Sequence, residues 1–347
     1  MEGFAEFALY YKVDENFNTL YDANGNPIIN EKAQFNDAAM LVLGIADAEN
    51  KMHYYGLPET QSFPMMFIRT DILAQLGIDT LDTWDDLMAA ATTLSENNMT
   101  IGLNNDYKIF LYQQGSQLFA DDGMRINLDS NLALDSFETM CNMFTQYSFP
   151  YKYDFVNRFR TGEMPILLGD YTGLYNQLKV FATEITGKWE FMPLPGEING
   201  YDEDGKPIIN NVSISGVSAT VMVKGCDKVE SSWEFMKWWV SAESQVRFGR
   251  EIESILGSSA RYTTANTDAL EQLAWSAPQL KVLREQQSWT VGFPEIAGGY
   301  STTRHMTNAI RKVINTKEDA RETLLTYART INDEIRIKRQ EFGLAVD

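Results

Sequence analysis

Apolar residues recur at helical spacing in four long segments of the chain, and each segment carries a helix start or stop. The first, residues 82–98, has Thr83 as a candidate N-cap and Asp86 three residues later, the pattern of a capping box. Its apolar face comprises Leu87, Ala90, Ala91 and Leu94. This spacing predicts an amphipathic helix that covers a sheet.

The other three segments follow the same logic. Residues 130–147 begin at Ser130 and place Leu134, Phe137, Met140, Cys141 and Phe144 in helical register. Residues 231–251 begin with a serine cap and predict one helix whose stripe of Trp233, Met236, Trp239 and Val240 is typical of a core face. Residues 317–342 end before Gly343, with basic residues near the C-terminus where they suit the helix macrodipole.

Short apolar segments lie between these helices and predict strands. They are residues 65–68, 164–169, 189–194 and 218–224. Strands that alternate with helices favour an α/β fold with covered sheets. At 347 residues the chain is long enough for two domains.

Charge and hydropathy exclude two kinds of partner. With 29 basic and 48 acidic residues, the net charge of −19 should repel nucleic acid, which requires a basic footprint. The longest strongly apolar run, residues 38–46, is far shorter than the roughly 18 residues of a membrane span. The start of the sequence shows no secretory signal, and two cysteines do not define a redox compartment.

Motifs for catalysis or metal binding are almost absent. The sequence has two histidines and contains no HExxH, CxxC, Walker A or GxSxG motif, so we predict no cofactor and no metal site. Carboxylates are abundant enough to leave a glycosidase-type acid pair open, although most of them are expected to be solvated surface.

Two similar decapeptides, YDANGNPIIN at 21–30 and YDEDGKPIIN at 201–210, suggest either a duplication or a calcium loop. Their glycines come too early for an EF-hand loop, and the residues around the two copies do not match. The Asn-Gly and Asp-Gly pairs instead predict two surface hairpins.

Three stretches resemble the family 1 extracellular solute-binding proteins of ABC importers, which carry sugars and oligosaccharides. They are YYGLPETQSFPMMFIRTDILAQLGIDTLDTWDDL from residue 54, FRTGEMPILLGDYTGLYNQL from residue 159, and SISGVSATVMVKGCDKVESSWEFMKWWVSAESQVRF from residue 213. Each motif is weak alone, but they occur in the family's order over about residues 54–342.

This resemblance implies a two-lobe periplasmic-binding-protein fold of type II, with hinge strands that cross between the lobes and a ligand cleft between them. We expect residues 1–59 and 216–278 in lobe one, and residues 60–215 and 279–347 in lobe two. Nothing before residue 38 is similar to the family's first strand, helix and strand, so lobe one is expected to be incomplete.

The resemblance also points to ligand contacts in five places. Glu59, Thr60 and Gln61 follow the first expected hinge crossing, where simple turn chemistry is the alternative. Asn105 and Tyr107 lie in a second stretch that faces the cleft in the family. Asp170 and Tyr171 match the turn after a lobe-two strand, where an aromatic ring stacks on the ligand and core packing is the alternative.

Two further places complete the candidate site. Ser215 lies at the second expected crossing, where a hydroxyl contacts the ligand or only satisfies backbone. Tyr300 and Arg304 lie at the start of a helix predicted from about Thr303. The lone His305 is read as structural.

The leading hypothesis is non-catalytic capture of a carbohydrate for delivery to the transmembrane subunits of an ABC permease. A hydrolase with an acid pair and a protein-interaction module are the alternatives. The resemblance further implies a monomer, extracellular or periplasmic, anchored to the membrane through an N-terminal segment outside this sequence.

Overall fold

A computed structural model describes residues 34–46, 52–103, 106–120, 122–293 and 295–346. The first decapeptide therefore lies outside the described residues, as does Asn105. The strands are β1 Gly44–Ala46, β2 Met52–Tyr54, β3 Gly56–Ser62, β4 Pro64–Ile68, β5 Ile101–Gly102, β6 Ile166–Asp170, β7 Glu190–Met192, β8 Glu197–Tyr201, β9 Pro207–Asn210, β10 Ser213–Ile214, β11 Gly216–Val221 and β12 Thr290–Val291.

The helices cover these strands or connect them. They are α1 Asp37–Leu41, α2 Thr70–Leu76, α3 Trp84–Glu96, α4 Tyr107–Gln113, α5 Asn131–Thr145, α6 Phe155–Thr161, α7 Tyr171–Phe181, α8 Val229–Val240, α9 Ala242–Leu256, α10 Thr267–Leu270, α11 Ala277–Ser288, α12 Thr302–Thr316 and α13 Ala320–Glu341. Short 3₁₀ turns occur at Thr183–Ile185, Ser258–Ala260 and Gly299–Ser301.

Contacts within the chain divide its described residues into two compact units. Unit 1 comprises residues up to Phe63, then Ser215–Leu280 and Val291–Glu295. Unit 2 comprises Pro64–Ile214, Lys281–Thr290 and the residues from Ile296 onward. The backbone thus passes from one unit to the other more than once. The predicted lobe boundaries stay a prediction.

Unit 1 is built on the antiparallel pair β3–β11, in which Ser62 lies opposite Gly216 and Gly56 opposite Val221. Helix α8 packs on this pair. Its core comprises Leu57, Met222, Met236 and Val240, with Phe35, Cys226, Trp233 and Trp239 partly buried around it. The predicted core stripe of this helix is therefore confirmed.

Unit 2 contains a mixed sheet of four strands in the order β5-β6-β4-β7. Strand β6 is parallel to β5 and antiparallel to β4, which in turn pairs antiparallel with β7. Met65, Met66 and Phe67 of β4 are fully buried at the centre of the sheet. Consecutive buried residues are typical of a strand covered on both faces.

Most predicted elements are confirmed. Thr83 and Asp86 form the predicted capping box of α3, and the hydroxyl of Ser130 caps α5. The predicted second hairpin is the antiparallel pair β8–β9, whose turn contains Gly205 at a φ of 76°. Glycine suits this turn because other residues rarely adopt a positive φ.

One helix prediction is wrong. Residues 231–251 do not form one helix, because Ser241 adopts an extended conformation with φ −63° and ψ 151° between α8 and α9. Its hydroxyl then accepts a hydrogen bond from the backbone N–H of Ser244 and so caps α9. Helical periodicity continues through the break, and the serine that causes it also looks like an ordinary helix residue.

Candidate functional site

A cavity of about 190 Å³ lies in unit 2 between the start of α4 and one side of α12. We call it the α4–α12 cavity. It has more than ten times the roughly 15 Å³ that one water molecule requires. A small polar ligand therefore has room to enter it.

One face of α12 forms half of the cavity wall. It comprises Thr302, Thr303, Met306, Thr307 and Ile310. The last four of these residues lie one, four, five and eight positions after Thr302. With this spacing, all five fall on one side of the helix. The buried Met306 and Ile310 give this wall an apolar floor, and three hydroxyl groups lie beside it.

Thr302 carries an unusual polar group. Its side chain is 4% exposed, yet Oγ1 has no hydrogen-bond partner in the described part of the protein. The preceding Ser301 gives α12 no side-chain cap. A buried hydroxyl without a partner costs about 1–3 kcal/mol, and this oxygen is closed to water as well as to a ligand in the cavity.

The opposite wall is the start of α4, with the buried Leu118 beside it. The carboxylate of Asp106 caps the helix by accepting the backbone N–H of Lys108 at 3.1 Å. The Lys108 ammonium lies 3.5 Å from the same carboxylate, and both side chains are half-buried. The cavity therefore presents one charged donor and one charged acceptor side by side.

Tyr107, a predicted ligand contact, lines this wall, but its hydroxyl bonds elsewhere. The hydroxyl donates a 2.7 Å hydrogen bond to the carbonyl of Ala133, and the ring packs edge-on against Phe137. Burial raises the pKa of the Tyr107 hydroxyl far above its usual range. Tyr107 thus offers the cavity a ring surface, and its polar end holds α4 against α5.

The other predicted contacts of unit 2 do not line this cavity. Asp170 ends β6 and caps α7 by accepting the N–H of Gly173 at 2.7 Å, and Tyr171 is the buried first residue of that helix. Tyr300 is 68% exposed in the turn before α12. Arg304 lies in the first turn of α12, where its guanidinium pairs with Glu334 at 3.1 Å.

Unit 1 brings two predicted residues together. The buried side-chain amide of Gln61 donates to Oγ of Ser215 at 2.8 Å and to Oδ1 of Asn36 at 2.9 Å. Glu59 and Thr60 precede Gln61 in β3 and bond through their backbone to the segment after α9: the N–H of Ala265 donates to the Glu59 carbonyl. The predicted role of all these residues in ligand binding stays a prediction.

Sequence reasoning missed most of the α4–α12 cavity. It placed the start of α12 correctly, but it selected Arg304 instead of the threonines on either side of the apolar floor. A helix face that interleaves Thr302, Thr303 and Thr307 with Met306 and Ile310 was the available signal. Such a face differs from an ordinary core stripe, which carries few hydroxyl groups.

Structural comparison defines the class of this fold. The sugar-binding protein MalE from Xanthomonas citri is similar with a TM-score of 0.72 and 18% identity, over 90% of this chain and 77% of that one. An ABC transporter solute-binding protein from Thermotoga lettingae TMO, bound with alpha-D-tagatose, gives 0.68 and 18%, over 87% and 76%. The GacH receptor of Streptomyces glaucescens GLA.O gives 0.68 and 15%, over 92% and 80%. The fold is that of the solute-binding proteins of ABC transporters.

The family follows from the sequence itself. Residues 6–280 match the family model of the bacterial extracellular solute-binding proteins, and the chain belongs to that family. No curated protein sequence matches the chain. The predicted family and the predicted two-lobe α/β class are thereby confirmed.

Two negative observations concern only the described residues. Within these ranges, no group of three or more His, Cys, Asp or Glu is arranged to hold a metal ion. In the same part of the chain, none of the helices has the length and apolar character that crossing a membrane requires.

Proposed function

We propose that this protein captures a carbohydrate without chemical change and delivers it to the transmembrane subunits of an ABC permease. Membership of the extracellular solute-binding family supports a capture role. The ligands bound in two structural neighbours, alpha-D-tagatose and acarbose, support a carbohydrate as the solute. The α4–α12 cavity is our candidate for a ligand site in unit 2.

The observation that carries this proposal is the match of residues 6–280 to the extracellular solute-binding family. A carbohydrate hydroxyl both donates and accepts hydrogen bonds, so it can pair with the hydroxyls of Thr303 and Thr307 and with the Lys108 and Asp106 charges in the cavity wall. The apolar C–H face of a sugar ring fits the floor of Met306 and Ile310. The wall therefore supplies the mixture of contacts that a sugar ring uses.

The same cavity argues against the hydrolase alternative. A glycosidase of the common type requires two carboxyl groups across the scissile bond. Among the described residues that line the α4–α12 cavity, Asp106 supplies the single carboxyl group, and Lys108 already pairs with it. We therefore propose that the protein is not an enzyme. We also propose that it acts as a monomer outside the cytoplasmic membrane, held there by an anchor.

Intrinsic fluorescence tests the proposal, because the chain contains 7 Trp and 16 Tyr. The full chain is titrated with mono- and oligosaccharides, and the recovered sugar is analysed by chromatography. Saturable binding with unchanged sugar is the expected result. Product formation would support the hydrolase instead, and no response to any carbohydrate would overturn the proposed function.

A further inference from the structure

Unit 2 contains a second cavity, of about 440 Å³, which we call the α3–α5 cavity. It lies between the start of α3, the end of α5 and the start of β8, and shares no lining residue with the α4–α12 cavity. Its size falls within the roughly 300–1,000 Å³ that is usual for small-molecule sites. The cavity is therefore large enough for a ligand of its own.

The backbone holds the walls of this cavity in fixed positions. The N–H of Gly196 donates to the Asp82 carbonyl at 2.9 Å, and the N–H of Trp84 donates to the Gly196 carbonyl at 3.2 Å. A Cβ at Gly196 would lie 2.6 Å from the carbonyl oxygen of Asn210, so this close approach requires glycine. Backbone hydrogen bonds thus fix the start of β8 against the start of α3.

Both charged residues of the described lining are acidic. Asp85 lies in the first turn of α3, and Glu197 is the first residue of β8. Burial raises the pKa of Glu197, and the nearby negative charge of Asp85 raises it further. A partly buried carboxyl group with a second, exposed carboxylate beside it favours a cation at this end of the cavity.

The end of α5 adds to this negative potential. Thr139, Asn142, Met143 and Gln146 line the cavity from one face of the helix. The carbonyl end of a helix carries a partial negative charge, and the last turn of α5 contains no basic residue that would compensate it.

The remaining lining fits a carbon chain. Met143 is buried and Met88 is half-buried, so both present thioether and methylene surface to the cavity. The ring of Tyr147 is 46% exposed at the same place. Aromatic faces attract cations, and methionine adapts to irregular apolar shapes.

We propose that the α3–α5 cavity is a second ligand site, for a small organic ammonium ion. The ammonium group lies between Asp85 and Glu197, and its carbon body contacts Met88, Met143 and the ring of Tyr147. This proposal goes beyond the carbohydrate function, because it concerns a separate cavity and a positively charged ligand instead of a neutral sugar. It holds whether or not the α4–α12 cavity binds sugar.

Ligand-observed NMR on the full chain tests this site with n-hexylammonium and its uncharged analogue 1-hexanol. Saturable binding of n-hexylammonium is expected, with at least tenfold weaker binding of 1-hexanol. Glu197→Gln and Asp85→Asn should each weaken n-hexylammonium binding about tenfold. Glu203→Gln removes the same charge from the exposed turn between β8 and β9, and it should leave binding unchanged.

Three results would overturn the proposal. They are equal binding of both probes, equal loss in the Glu203→Gln control, and the absence of saturable binding in the parent chain. Near-ultraviolet circular dichroism of each variant shows whether unit 2 is folded. If Glu197→Gln disturbs the fold, Asp85→Asn decides the question, because Asp85 is exposed and has few structural contacts to lose.

Discussion

The side-chain amide of Gln61 donates a hydrogen bond of 2.8 Å to the hydroxyl of Ser215, 154 residues further along the chain. The same amide also reaches Oδ1 of Asn36, which caps α1. Three separate segments of unit 1 are thus joined through one buried side chain.

Gln61→Ala should lower the free energy of unfolding by about 1–3 kcal/mol, because it removes the donor to the buried Ser215 hydroxyl and one of the two donors to Asn36 Oδ1. Urea denaturation, followed by tryptophan fluorescence, measures the change. Gln146→Ala is the matched control, since Gln146 is exposed at the end of α5 and should cost less than about 0.5 kcal/mol. Equal losses in the two variants would contradict a structural role for the Gln61 amide.

Thr307→Val should weaken carbohydrate binding by about 0.5–1.5 kcal/mol, because it removes a partly exposed hydroxyl from the wall of the α4–α12 cavity. Thr326→Val in α13 is the matched control, since it lies outside the cavity and its hydroxyl makes the same kind of bond, to the carbonyl four residues earlier in its helix. Both variants should change stability by a similar, small amount. Fluorescence titration should separate the two variants, and equal affinities would exclude Thr307 from the site.

The family resemblance predicts that Tyr171→Ala weakens carbohydrate binding by about 1–3 kcal/mol, or roughly five- to 150-fold. The 1% exposure of Tyr171, outside the α4–α12 cavity, instead favours an unchanged affinity. Tyr175→Ala is the control, because Tyr175 is a buried tyrosine of the same helix that packs edge-on against Trp189. Both variants should lose stability through the cavity left behind. An unchanged affinity for Tyr171→Ala would assign its ring to the core.

Acid should destabilise unit 2 through Asp71. Its carboxylate accepts two hydrogen bonds of 2.8 Å from Arg69, and this hydrogen bonding holds the pKa of Asp71 below its usual range. A carboxyl group with a lowered pKa stabilises the fold above its unfolded value, near 3.8, and loses that contribution as the pH falls further.

Asp71→Asn should therefore cost about 1.5–3 kcal/mol at pH 6 and progressively less below pH 4, when parent and variant are compared by urea denaturation. Asp129→Asn breaks the exposed pair with Arg125, which lies at 3.5 Å, and should change stability by less than about 1 kcal/mol at every pH. If the free energies of unfolding of parent and Asp71→Asn differ by the same amount at every pH, the lowered pKa of Asp71 does not contribute to stability.

Glu197 should show the opposite pH dependence. Since burial raises the pKa of its carboxyl group above 4.5, the folded protein holds this proton longer than the unfolded chain does. Stability is then lost as the pH rises from the unfolded to the folded pKa. Glu197→Gln should raise the midpoint of thermal unfolding at pH 7 and leave it nearly unchanged at pH 4. A lower unfolding midpoint of Glu197→Gln at pH 7 would contradict the cost that we assign to burial of the Glu197 carboxylate.

Local chemistry explains why the secondary structure was largely predictable. The start of α3 could be predicted because Thr83 and Asp86 cap it within four residues of sequence. The buried strand β4 could be predicted because its side chains are apolar on both faces. The break at Ser241 could not, because a serine that caps one helix is also acceptable inside another.

The candidate site was less accessible to sequence reasoning. The α4–α12 cavity depends on packing between segments almost 200 residues apart, and no local pattern shows that Thr302 lacks a partner. Tyr107 was selected for its ring, but its hydrogen bond to Ala133 is a tertiary contact that the sequence does not reveal. The α3–α5 cavity was also missed. The sequence does not show which of its many carboxylates, Glu197 among them, line a cavity.

The β8–β9 hairpin also has a use in protein engineering. Its turn, from Asp202 to Lys206, is exposed, while its base at Gly196 is fixed to α3 and Asn210 donates a hydrogen bond to the Gln113 carbonyl at 2.8 Å. A dye attached to a cysteine in place of Glu203 lies in the turn of a hairpin whose first residue, Glu197, lines the α3–α5 cavity. A change in the dye's fluorescence then reports ligand binding in that cavity.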